Sequence, residues 1–394
     1  MKVLDVCREY CIGCGLCKSE LRTEMQRDEK GYWKPNFVAT KEEQEFLKEV
    51  CPVTGLNSGK LQTKELWGNS VSTLAAYATD AHIRKKASSG GVLTALAIYL
   101  LESQKVDGII QVSVCRENPI ETVCRVSTTR EDVMTCCGSR YSISSPWMSL
   151  SEMVQQGKKY AAIGKPCDIA ALRRLKEYDK KYEGISYLLS FFCAGLPSMQ
   201  ANERLLQQLG CKKEQCKILS YRGNGWPGSA TAIDSEGNSY EMEYSKAWGG
   251  ILGRDIHPYC RLCIDGIGEA ADISCGDGWY VSADGKQPDF SEKDGRNIVF
   301  VRNEVGEELM NEAVHAGVLE ALEWDDVSQL DIIQKYQKTR RTTLQTKLVG
   351  YRVCGRRTPQ YEKALLKEYA KEASVKEKFK MFLGTIKRII KKII

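Results

Sequence analysis

The sequence predicts an α/β fold of mixed α+β character, with a mixed-sheet body between a small N-terminal module and a helical C-terminal region. Cysteines punctuate the first 58 residues, which contain no long periodic segment. From about residue 87 to residue 316, helix-like and strand-like patterns alternate, which is typical of a parallel or mixed sheet. From residue 325 onward the pattern is helical. We expect four units, with boundaries at 1–60, 70–320, 325–370 and 371–394.

Composition narrows the class of protein. The 394 residues, 42% of them hydrophobic, are enough for a large core and argue against general disorder. The 17 cysteines are well below the roughly 8–10% that marks small disulfide scaffolds. Neither a signal peptide nor a run of ~18 apolar residues is recognisable. We therefore expect a cytoplasmic protein whose cysteines are ligands or small buried hydrophobes.

The positive charge is confined to one end of the chain. The net charge is +6, and residues 371–394 alone hold eight Lys and Arg against two Glu. The first 370 residues are therefore neutral. Because a basic surface is needed to bind phosphates, no nucleic-acid partner is expected.

The body follows from its elements in order. Ser and Gly at 88–91 precede an apolar helix at 92–103, with serine at the capping position. Residues 70–86 look like a connector. Strands are predicted at 106–114, 159–164, 185–193, 271–277 and 297–302. Further helices are predicted at 150–157, 167–178, 199–210 and 305–316, and a β-hairpin insertion at 217–250.

The strongest motif is Cys11-x-x-Cys14-x-x-Cys17, with Cys51-Pro52 downstream. Three thiolates on one tight loop bind three irons of a cube, and a distant Cys-Pro supplies the fourth ligand. We predict one 4Fe-4S cluster in a ferredoxin-like module, with Cys11, Cys14, Cys17 and Cys51 as ligands.

Two further observations bear on this site. A two-cluster ferredoxin run has Cys and Pro where this chain has Leu21 and Arg22, so one cluster is expected. Zinc is the alternative, although zinc knuckles favour paired CxxC or Cys/His ends. Cys7 is interpreted as a bystander.

A second group of cysteines is less local. Cys167 and Cys193 follow predicted strands, at the sheet edge where ligands bind, and Cys260-x-x-Cys263 lies downstream. A single CxxC is shared by zinc sites, redox dithiols and clusters, and cysteines at strand ends are as often packing residues. Cys275 is an alternative ligand. Spacing alone favours a second metal site without identifying its metal.

Taken in order, the motifs are similar to those of one family. They are Ser89-Gly90-Gly91-Val92, Gly138-Ser139-Arg140-Tyr141, Gly164-Lys165-Pro166-Cys167, Phe192-Cys193-Ala194-Gly195, Tyr221-Arg222-Gly223-Asn224-Gly225-Trp226-Pro227-Gly228, Cys260-x-x-Cys263 and Ala271-Asp272-Ile273-Ser274-Cys275-Gly276-Asp277-Gly278-Trp279. From about residue 7 to residue 315, the chain resembles the coenzyme F420 hydrogenase/dehydrogenase beta-subunit family, which includes 7-hydroxymethyl chlorophyll a reductases.

The resemblance implies an FAD enzyme with iron–sulfur clusters. It implies that Cys167, Cys193, Cys260 and Cys263 hold a second 4Fe-4S cluster beside the flavin. The residues that it places around FAD are Ser89, Gly90, Gly91, Ser139, Arg140, Tyr141, Gly164, Lys165, Gly276 and Asp277. Lys165 and Arg140 depart from the family's commoner threonine and lysine, and position 275 is usually apolar.

Physical chemistry is compatible with these contacts. A glycine pair opening a helix lets backbone N–H groups approach a phosphate, although it also serves as an ordinary cap. Lys165 and Arg140 could offset pyrophosphate charge or be solvated, and Asp277 could bind a ribose or close a turn. Hydride transfer to a flavin needs no acid, so no catalytic residue is nominated.

The C-terminal segment has an apolar stripe at helical spacing, with Lys and Arg on the opposite side. Its apolar positions are 379, 382, 383, 386, 389, 390 and 393. We expect residues 376–394 to lie on an anionic membrane surface. The alternative is a helix that packs on the protein's own body.

The expected function is that of an iron–sulfur flavoprotein oxidoreductase in the cytoplasm, peripheral at the membrane's inner face. Electrons would pass between a ferredoxin or partner redox subunit and an organic two-electron substrate, for which coenzyme F420 is one candidate. The alternatives are a non-catalytic electron-transfer subunit of a larger complex and a zinc-stabilised binding protein. The sequence leaves electron direction and oligomeric state open.

Overall fold

The computed structural model describes residues 3–36, 39–54, 63–324 and 326–391. The helices are α1 (Val3–Tyr10), α2 (Leu16–Leu21), α3 (Lys41–Val50), α4 (Ala81–Lys86), α5 (Val92–Glu102), α6 (Arg130–Thr135), α7 (Leu150–Met153), α8 (Pro166–Tyr178), α9 (Met199–Leu209), α10 (Pro258–Leu262), α11 (Glu304–His315), α12 (Leu330–Ile333), α13 (Lys335–Thr342), α14 (Leu344–Val353), α15 (Lys363–Lys371) and α16 (Val375–Ile390).

The strands are β1 (Glu24–Arg27), β2 (Trp33–Asn36), β3 (Ser72–Ala78), β4 (Gly108–Val114), β5 (Thr122–Ser127), β6 (Tyr160–Gly164), β7 (Ile185–Phe191), β8 (Cys216–Ser220), β9 (Ser229–Asp234), β10 (Ser239–Glu243), β11 (Ile273–Asp277), β12 (Tyr280–Val281), β13 (Pro288–Asp289), β14 (Asn297–Val301) and β15 (Leu319–Glu323). A π-helical turn follows β10 at Lys246–Ile251.

An eight-stranded mixed sheet organises the body, in the order β15-β3-β14-β11-β7-β6-β4-β5. Its four inner strands β4, β6, β7 and β11 are parallel, and the outer strands pair antiparallel. Gly164 at the end of β6 pairs with Ser190 near the end of β7, and Ser190 pairs with Ser274 of β11. The carboxyl ends of three strands therefore meet at one edge, which is where open α/β sheets bind ligands. The predicted α/β class with a mixed sheet is confirmed.

Hydrophobic cores cover both faces of this sheet. On one face, α5 and α11 pack through side chains such as Leu96 and Leu309. On the other face, α8 shares a single core with the N-terminal and C-terminal helices, through side chains such as Leu172, Phe46 and Leu348. Both ends of the chain thus contribute to the same hydrophobic core as the helix that follows β6. The domain boundaries remain predictions.

The prediction of a connector at 70–86 was wrong. Residues 72–78 form β3, which pairs with β14 and β15, and residues 81–86 form α4. The segment Ser-Thr-Leu-Ala-Ala-Tyr-Ala has few β-branched residues, so its strand conformation depends on the pairing from both sides. In place of the predicted β-hairpin insertion, the structure has a separate three-stranded antiparallel sheet in the order β10-β9-β8. Across the described ranges, no helix has the length and apolar character required to cross a lipid bilayer.

Candidate functional site

The first cysteine group lies where α1, α2 and α3 meet. Cys11 and Cys14 are on the loop between α1 and α2, and Gly13 and Gly15 in that loop have left-handed φ values of 70° and 92°. A Cβ on Gly15 would approach the Met148 backbone nitrogen to 2.6 Å, so only glycine allows the loop this close to the body. The tight turns direct the loop's cysteines inward.

The four predicted ligands of this group influence one another electrostatically. Burial raises the pKa of Cys11 to about 11, although nearby Lys34 lowers it and Cys51 raises it further. Burial also raises the pKa of Cys17, and Cys11, Cys51 and Cys14 add to the effect. Cys51 itself ends α3 as its C-terminal cap. The structure therefore brings Cys11, Cys14, Cys17 and Cys51 together.

Cys7 is closer to this group than the sequence suggests. Its Sγ donates a hydrogen bond to the Sγ of Cys51 across 3.7 Å, and this bond lowers the pKa of Cys51. Cys7 precedes the loop by one helical turn of α1, so the spacing of the motif alone gives no sign of this contact. The contact favours the thiolate form of Cys51, which is the form that binds metals.

The second cysteine group also comes together, from three separate parts of the fold. Cys167 is at the start of α8, Cys193 follows β7, Cys260 is in α10 and Cys263 ends it. Burial raises the pKa of Cys260 to about 12, and Cys193 and Cys263 raise it further. Burial likewise raises the pKa of Cys263 to about 11. Pro166 at the first position of α8 supplies the fixed backbone angle that turns Cys167 toward the group.

Cys275 stands apart from this group. It is 3% exposed in the middle of β11, and burial alone raises its pKa, with no contribution from another thiol. Cys193 raises the pKa of each of the other three cysteines, Cys167, Cys260 and Cys263, so the structure favours these four over Cys275 as a set of ligands.

The two groups are neighbours. A cavity of about 30 Å³ lies between them, lined by Pro52 beside Cys51 and by Cys167 and Cys263 of the second group. Among the described residues, no three Cys, His, Asp or Glu side chains have the geometry to hold a single metal ion. A 4Fe-4S cluster takes one thiolate for each iron, so its ligands need not converge on one ion.

A cavity of about 1180 Å³ opens at the carboxyl edge of the sheet. It exceeds the roughly 300–1,000 Å³ of most small-molecule sites and therefore has room for a dinucleotide and a second ring. Nine of the ten residues predicted to contact a flavin line it: Ser89, Gly91, Ser139, Arg140, Tyr141, Gly164, Lys165, Gly276 and Asp277. Cys193 of the second cysteine group lines it as well.

Gly90 is the predicted residue that does not line the cavity. A Cβ at this position would lie 2.7 Å from the Ala76 carbonyl oxygen and 2.8 Å from the Asn297 nitrogen. Glycine at position 90 is therefore required by close packing on β3 and β14. Gly91, which begins α5 with a φ of 79°, is the glycine that faces the cavity.

Two basic residues of the cavity wall already form hydrogen bonds or an ion pair with other residues of the protein. The Lys165 Nζ lies 2.6 Å from Asp168 Oδ2 and 2.7 Å from Ser144 Oγ. Burial disfavours the Lys165 cation, but Asp168 outweighs it and raises the pKa of Lys165. Arg140 donates to the carbonyl oxygens of Leu219, at 2.8 Å, and Pro119. Both cations are fixed in the wall, and neither is the solvated surface charge that the sequence allowed.

Arg222 is a cavity residue that sequence reasoning missed as a ligand-binding candidate. It is 4% exposed, and its Nη1 lies 2.8 Å from Asp277 Oδ2. Its Nε and Nη2 have no hydrogen-bond partner in the protein. Buried polar groups are normally satisfied, so these two donors point to an acceptor supplied by a ligand. In the sequence, Arg222 lies within the 221–228 motif, which contributes to the family resemblance without indicating a ligand contact.

The histidines do not contribute to the cavity wall. His257 is fully buried, and burial together with Lys34 lowers its pKa well below the ordinary value. The other two histidines, His82 and His315, do not line the cavity in the described part of the chain. The site therefore offers hydrogen-bond donors and ion pairs and no histidine acid.

Comparisons with known proteins agree with the geometry. Residues 73–152 match "Coenzyme F420 hydrogenase/dehydrogenase, beta subunit N-term", and residues 157–327 match the corresponding C terminus. Coenzyme F420 hydrogenase subunit beta of Methanococcus voltae is 28% identical over 307 residues, which are 74% of this chain and 99% of that protein. The subunit of Methanosarcina barkeri is 28% identical over 306 residues, 72% of this chain and 94% of its own length.

The fold agrees as well. A chain of the F420-reducing NiFe hydrogenase complex from Methanosarcina barkeri superposes with a TM-score of 0.58 at 24% identity, covering 75% of this chain and 98% of its own. The two family matches together span most of the chain, from β3 to the start of the C-terminal helices. The chain therefore belongs to the coenzyme F420 hydrogenase/dehydrogenase beta-subunit family, a family of oxidoreductase subunits.

Proposed function

We propose that this protein passes electrons between a ferredoxin or partner redox subunit and an organic two-electron substrate, through two 4Fe-4S clusters and FAD. One observation carries the proposal. The first cysteine group, the second group and the large cavity adjoin one another in that order, with Pro52 and Cys263 lining one small cavity and Cys193 lining the large one. Short separations between successive redox sites are what an electron path requires.

The residues of the two cysteine groups fit iron–sulfur clusters. Cys11, Cys14, Cys17 and Cys51 would hold the first, and Cys167, Cys193, Cys260 and Cys263 the second. All of these thiols are buried or half-buried, and each group has a cation beside it, Lys34 at the first and Lys165 at the second. Buried cations offset the negative charge of thiolate-ligated iron.

The cavity wall fits a flavin dinucleotide. The unpartnered donors of Arg222 and the unpartnered Nε of Arg140 are available to phosphate or ring oxygens. The start of α5 at Gly91 offers backbone N–H groups at the positive end of an 11-residue helix. Asp277 is held in place by Arg222 and by Trp226, whose indole nitrogen donates across 3.2 Å. Bound FAD supplies the link between one-electron transfer and two-electron hydride chemistry.

The cavity's volume leaves space for the organic substrate beside the flavin. Tyr141, Tyr244 and Trp248 line it, with the rings of Tyr141 and Trp248 4.8 Å apart, and such faces suit a planar heterocycle. The names of the relatives make coenzyme F420 the first substrate to test. The proposal includes a cytoplasmic location and peripheral contact between α16 and an anionic membrane surface.

The principal alternative is a non-catalytic electron-transfer subunit of a larger complex. The test is anaerobic purification followed by iron, sulfide, zinc and flavin analysis. About eight irons and one FAD per chain support the proposal. Zinc without flavin would refute it. Reoxidation of the reduced protein by soluble F420, without other subunits, distinguishes the enzyme from the alternative.

The iron content of cysteine variants tests which residues bind iron. Cys193→Ala should lose about half of the iron, because one of two clusters loses a ligand. Cys275→Ala is the matched control, a similarly buried thiol outside the group, and it should keep the wild-type iron content. For the cavity, Arg222→Gln should lower the flavin content of the folded protein. Equal iron in wild type and Cys193→Ala would contradict the second assignment.

A further inference from the structure

Arg340 is a buried cation that the C-terminal helices bring to the second cysteine group. It lies in α13, beyond residue 327, where the family match ends. Its side chain is inside the protein, with the residue 3% exposed. The Nη2 donates to the Cys193 carbonyl oxygen at 3.0 Å and to Gln337 Oε1 at 2.7 Å.

The guanidinium also packs against Gly266 in the loop that follows the CxxC. Any side chain at Gly266 would overlap with the Nη2 and Cζ atoms of Arg340. The backbone of the same glycine accepts a hydrogen bond from the Cys193 nitrogen at 2.9 Å. Arg340 is therefore packed between the chain segments that carry Cys193 and Cys263.

In the described part of the chain, no carboxylate pairs with the charge of Arg340. Within the described residues, no Asp or Glu oxygen lies within 4.0 Å of it, and its Nε has no hydrogen-bond partner. The adjacent Arg341 is equally buried but forms an ion pair with Glu269. An unpaired buried cation is strongly unfavourable, so an anion is needed beside Arg340.

The surroundings of Arg340 disfavour a second positive charge. Burial, and next the charge of Arg340, lowers the pKa of Lys347 to about 7. The groups near Arg340 that become negative when they ionise are the thiols of Cys263, Cys193 and Cys260 and the phenol of Tyr336. A 4Fe-4S cluster on four thiolates is a net anion and becomes more negative when reduced.

We propose that Arg340 is a positioning residue that acts as the counter-ion of the second 4Fe-4S cluster and raises its reduction potential. The inference rests on the proposed function, since it requires that cluster. Arg340 orients Cys193 by holding its carbonyl oxygen, and its fixed charge stabilises the reduced cluster more than the oxidised one. The C-terminal helices thus contribute to the redox chemistry of the body.

The experiment is an anaerobic redox titration of the full-length protein, followed by electron paramagnetic resonance. Arg340→Gln should lower the midpoint potential of one cluster and leave the other unchanged. We expect about a tenfold change in the reduction equilibrium, which is 59 mV for one electron. Arg340→Lys retains the charge and should recover most of the shift. Lys338→Gln, on the same helix, is the control and should match wild type.

If Arg340→Gln fails to retain the cluster, Gly266→Ala provides a second test of the same role. Its methyl group displaces the guanidinium without removing the charge, and it should also lower one midpoint potential. Eight irons per chain with unchanged potentials in both variants would overturn the inference alone. Equal shifts in Arg340→Gln and Arg340→Lys would overturn the electrostatic role. About four irons in the wild type would overturn the proposed function and the inference with it.

Discussion

The phenol of Tyr259 donates a hydrogen bond to the carbonyl oxygen of Pro52 at 3.0 Å. Both residues are buried, and each is the chain neighbour of a predicted cluster ligand, Cys260 and Cys51. A single hydrogen bond therefore connects the two cysteine groups through backbone. Arg174 of α8 reinforces this contact by donating to the Cys51 carbonyl oxygen at 3.2 Å.

Tyr259→Phe tests how firmly the N-terminal module is held. Removing the hydroxyl leaves the buried Pro52 oxygen without its donor, which costs about 1–3 kcal/mol. We expect a lower free energy of unfolding in denaturant titrations and faster loss of iron to a chelator. Tyr178→Phe, at a 54% exposed tyrosine, is the control and should change neither. Equal chelation rates in both variants would show that the bond does not hold the module.

The sequence predicted the parts of the molecule that depend on local spacing. The CxxCxxC loop needs only its own glycines to turn its thiols inward, and the strand–helix boundary at Gly164 and Pro166 is marked by residue types. The cavity at the carboxyl edge follows from the topology of parallel strands. The ten flavin candidates follow from the family resemblance, and nine of them line this cavity.

Features that depend on residues far apart in the chain could not be predicted from the sequence. β3 forms because β14 and β15 pair with it, and its own residues give little strand signal. Arg222 meets Asp277 across 55 positions of chain, and Arg340 meets Cys193 across 147. Arginines in a sequence are typical of a solvated surface, and only the fold shows that Arg222 and Arg340 are buried.

Gly90→Ala separates packing from ligand contact. The added methyl group would press on backbone atoms of Ala76 and Asn297, which cannot rotate away, so a loss of about 1–3 kcal/mol is expected. Since Gly90 does not line the cavity, the folded fraction should keep its flavin. Differential scanning calorimetry and the flavin-to-protein absorbance ratio measure the two effects.

Gly249→Ala is the matched control for this variant. Gly249 does line the cavity, and an added methyl group there meets nothing within 4 Å. Its stability should therefore stay at the wild-type value. A Gly90→Ala protein of normal stability that had lost its flavin would reverse the assignment and make Gly90 a contact residue.

Asp255 predicts a pH dependence of stability. It receives hydrogen bonds from Arg204 at 2.8 Å and Ser198 at 2.7 Å, and lies 3.2 Å from Lys30 of the β1–β2 turn. Burial raises the pKa of Asp255, but Arg204, Ser198 and Lys30 outweigh it, and the pKa falls below its ordinary value. A carboxylate with a lowered pKa stabilises the fold above the unfolded pKa of about 3.9.

This contribution is lost as the pH falls through the lowered folded pKa. Asp255→Asn should therefore reduce the free energy of unfolding by about 1–2 kcal/mol at pH 7. The difference from wild type should begin to narrow as the pH falls to the unfolded pKa of about 3.9 and should close below it, because there the unfolded wild type binds a proton more readily than the folded protein. Ser198→Ala removes one hydrogen bond without removing the charge and should keep the pH dependence. If the difference in free energy of unfolding between wild type and Asp255→Asn widens in acid, this account is contradicted.

One side of α16 packs on the body, as the alternative interpretation expected, whereas membrane contact stays a prediction for the other side. Ile389 is buried at 7% exposure, and Thr385 packs on Gly350 of α14, so one side docks on the body. Phe379 remains 63% exposed and Leu383 49%. These two residues are four positions apart and therefore share a face, with Lys380 beside them.

Only the exposed face is free to meet a membrane, so the test must spare the docked side. Phe379→Ser combined with Leu383→Ser should reduce co-sedimentation with anionic vesicles, with little change in thermal stability. Ile389→Ala should lower the thermal stability and leave co-sedimentation with the vesicles unchanged. It leaves a cavity in the core that costs about 2–5 kcal/mol.

The electrostatic part of membrane binding is tested by salt. Each lysine near an anionic surface contributes about 1 kcal/mol, and screening at 1 M salt shortens the reach of that charge to about 3 Å. Wild-type protein should therefore sediment with anionic vesicles at low salt and be released at high salt, whereas neutral vesicles should retain little at either. If the double serine variant binds as well as wild type, the exposed face of α16 is not the contact, and the helix serves the fold through Ile389 and Thr385 alone.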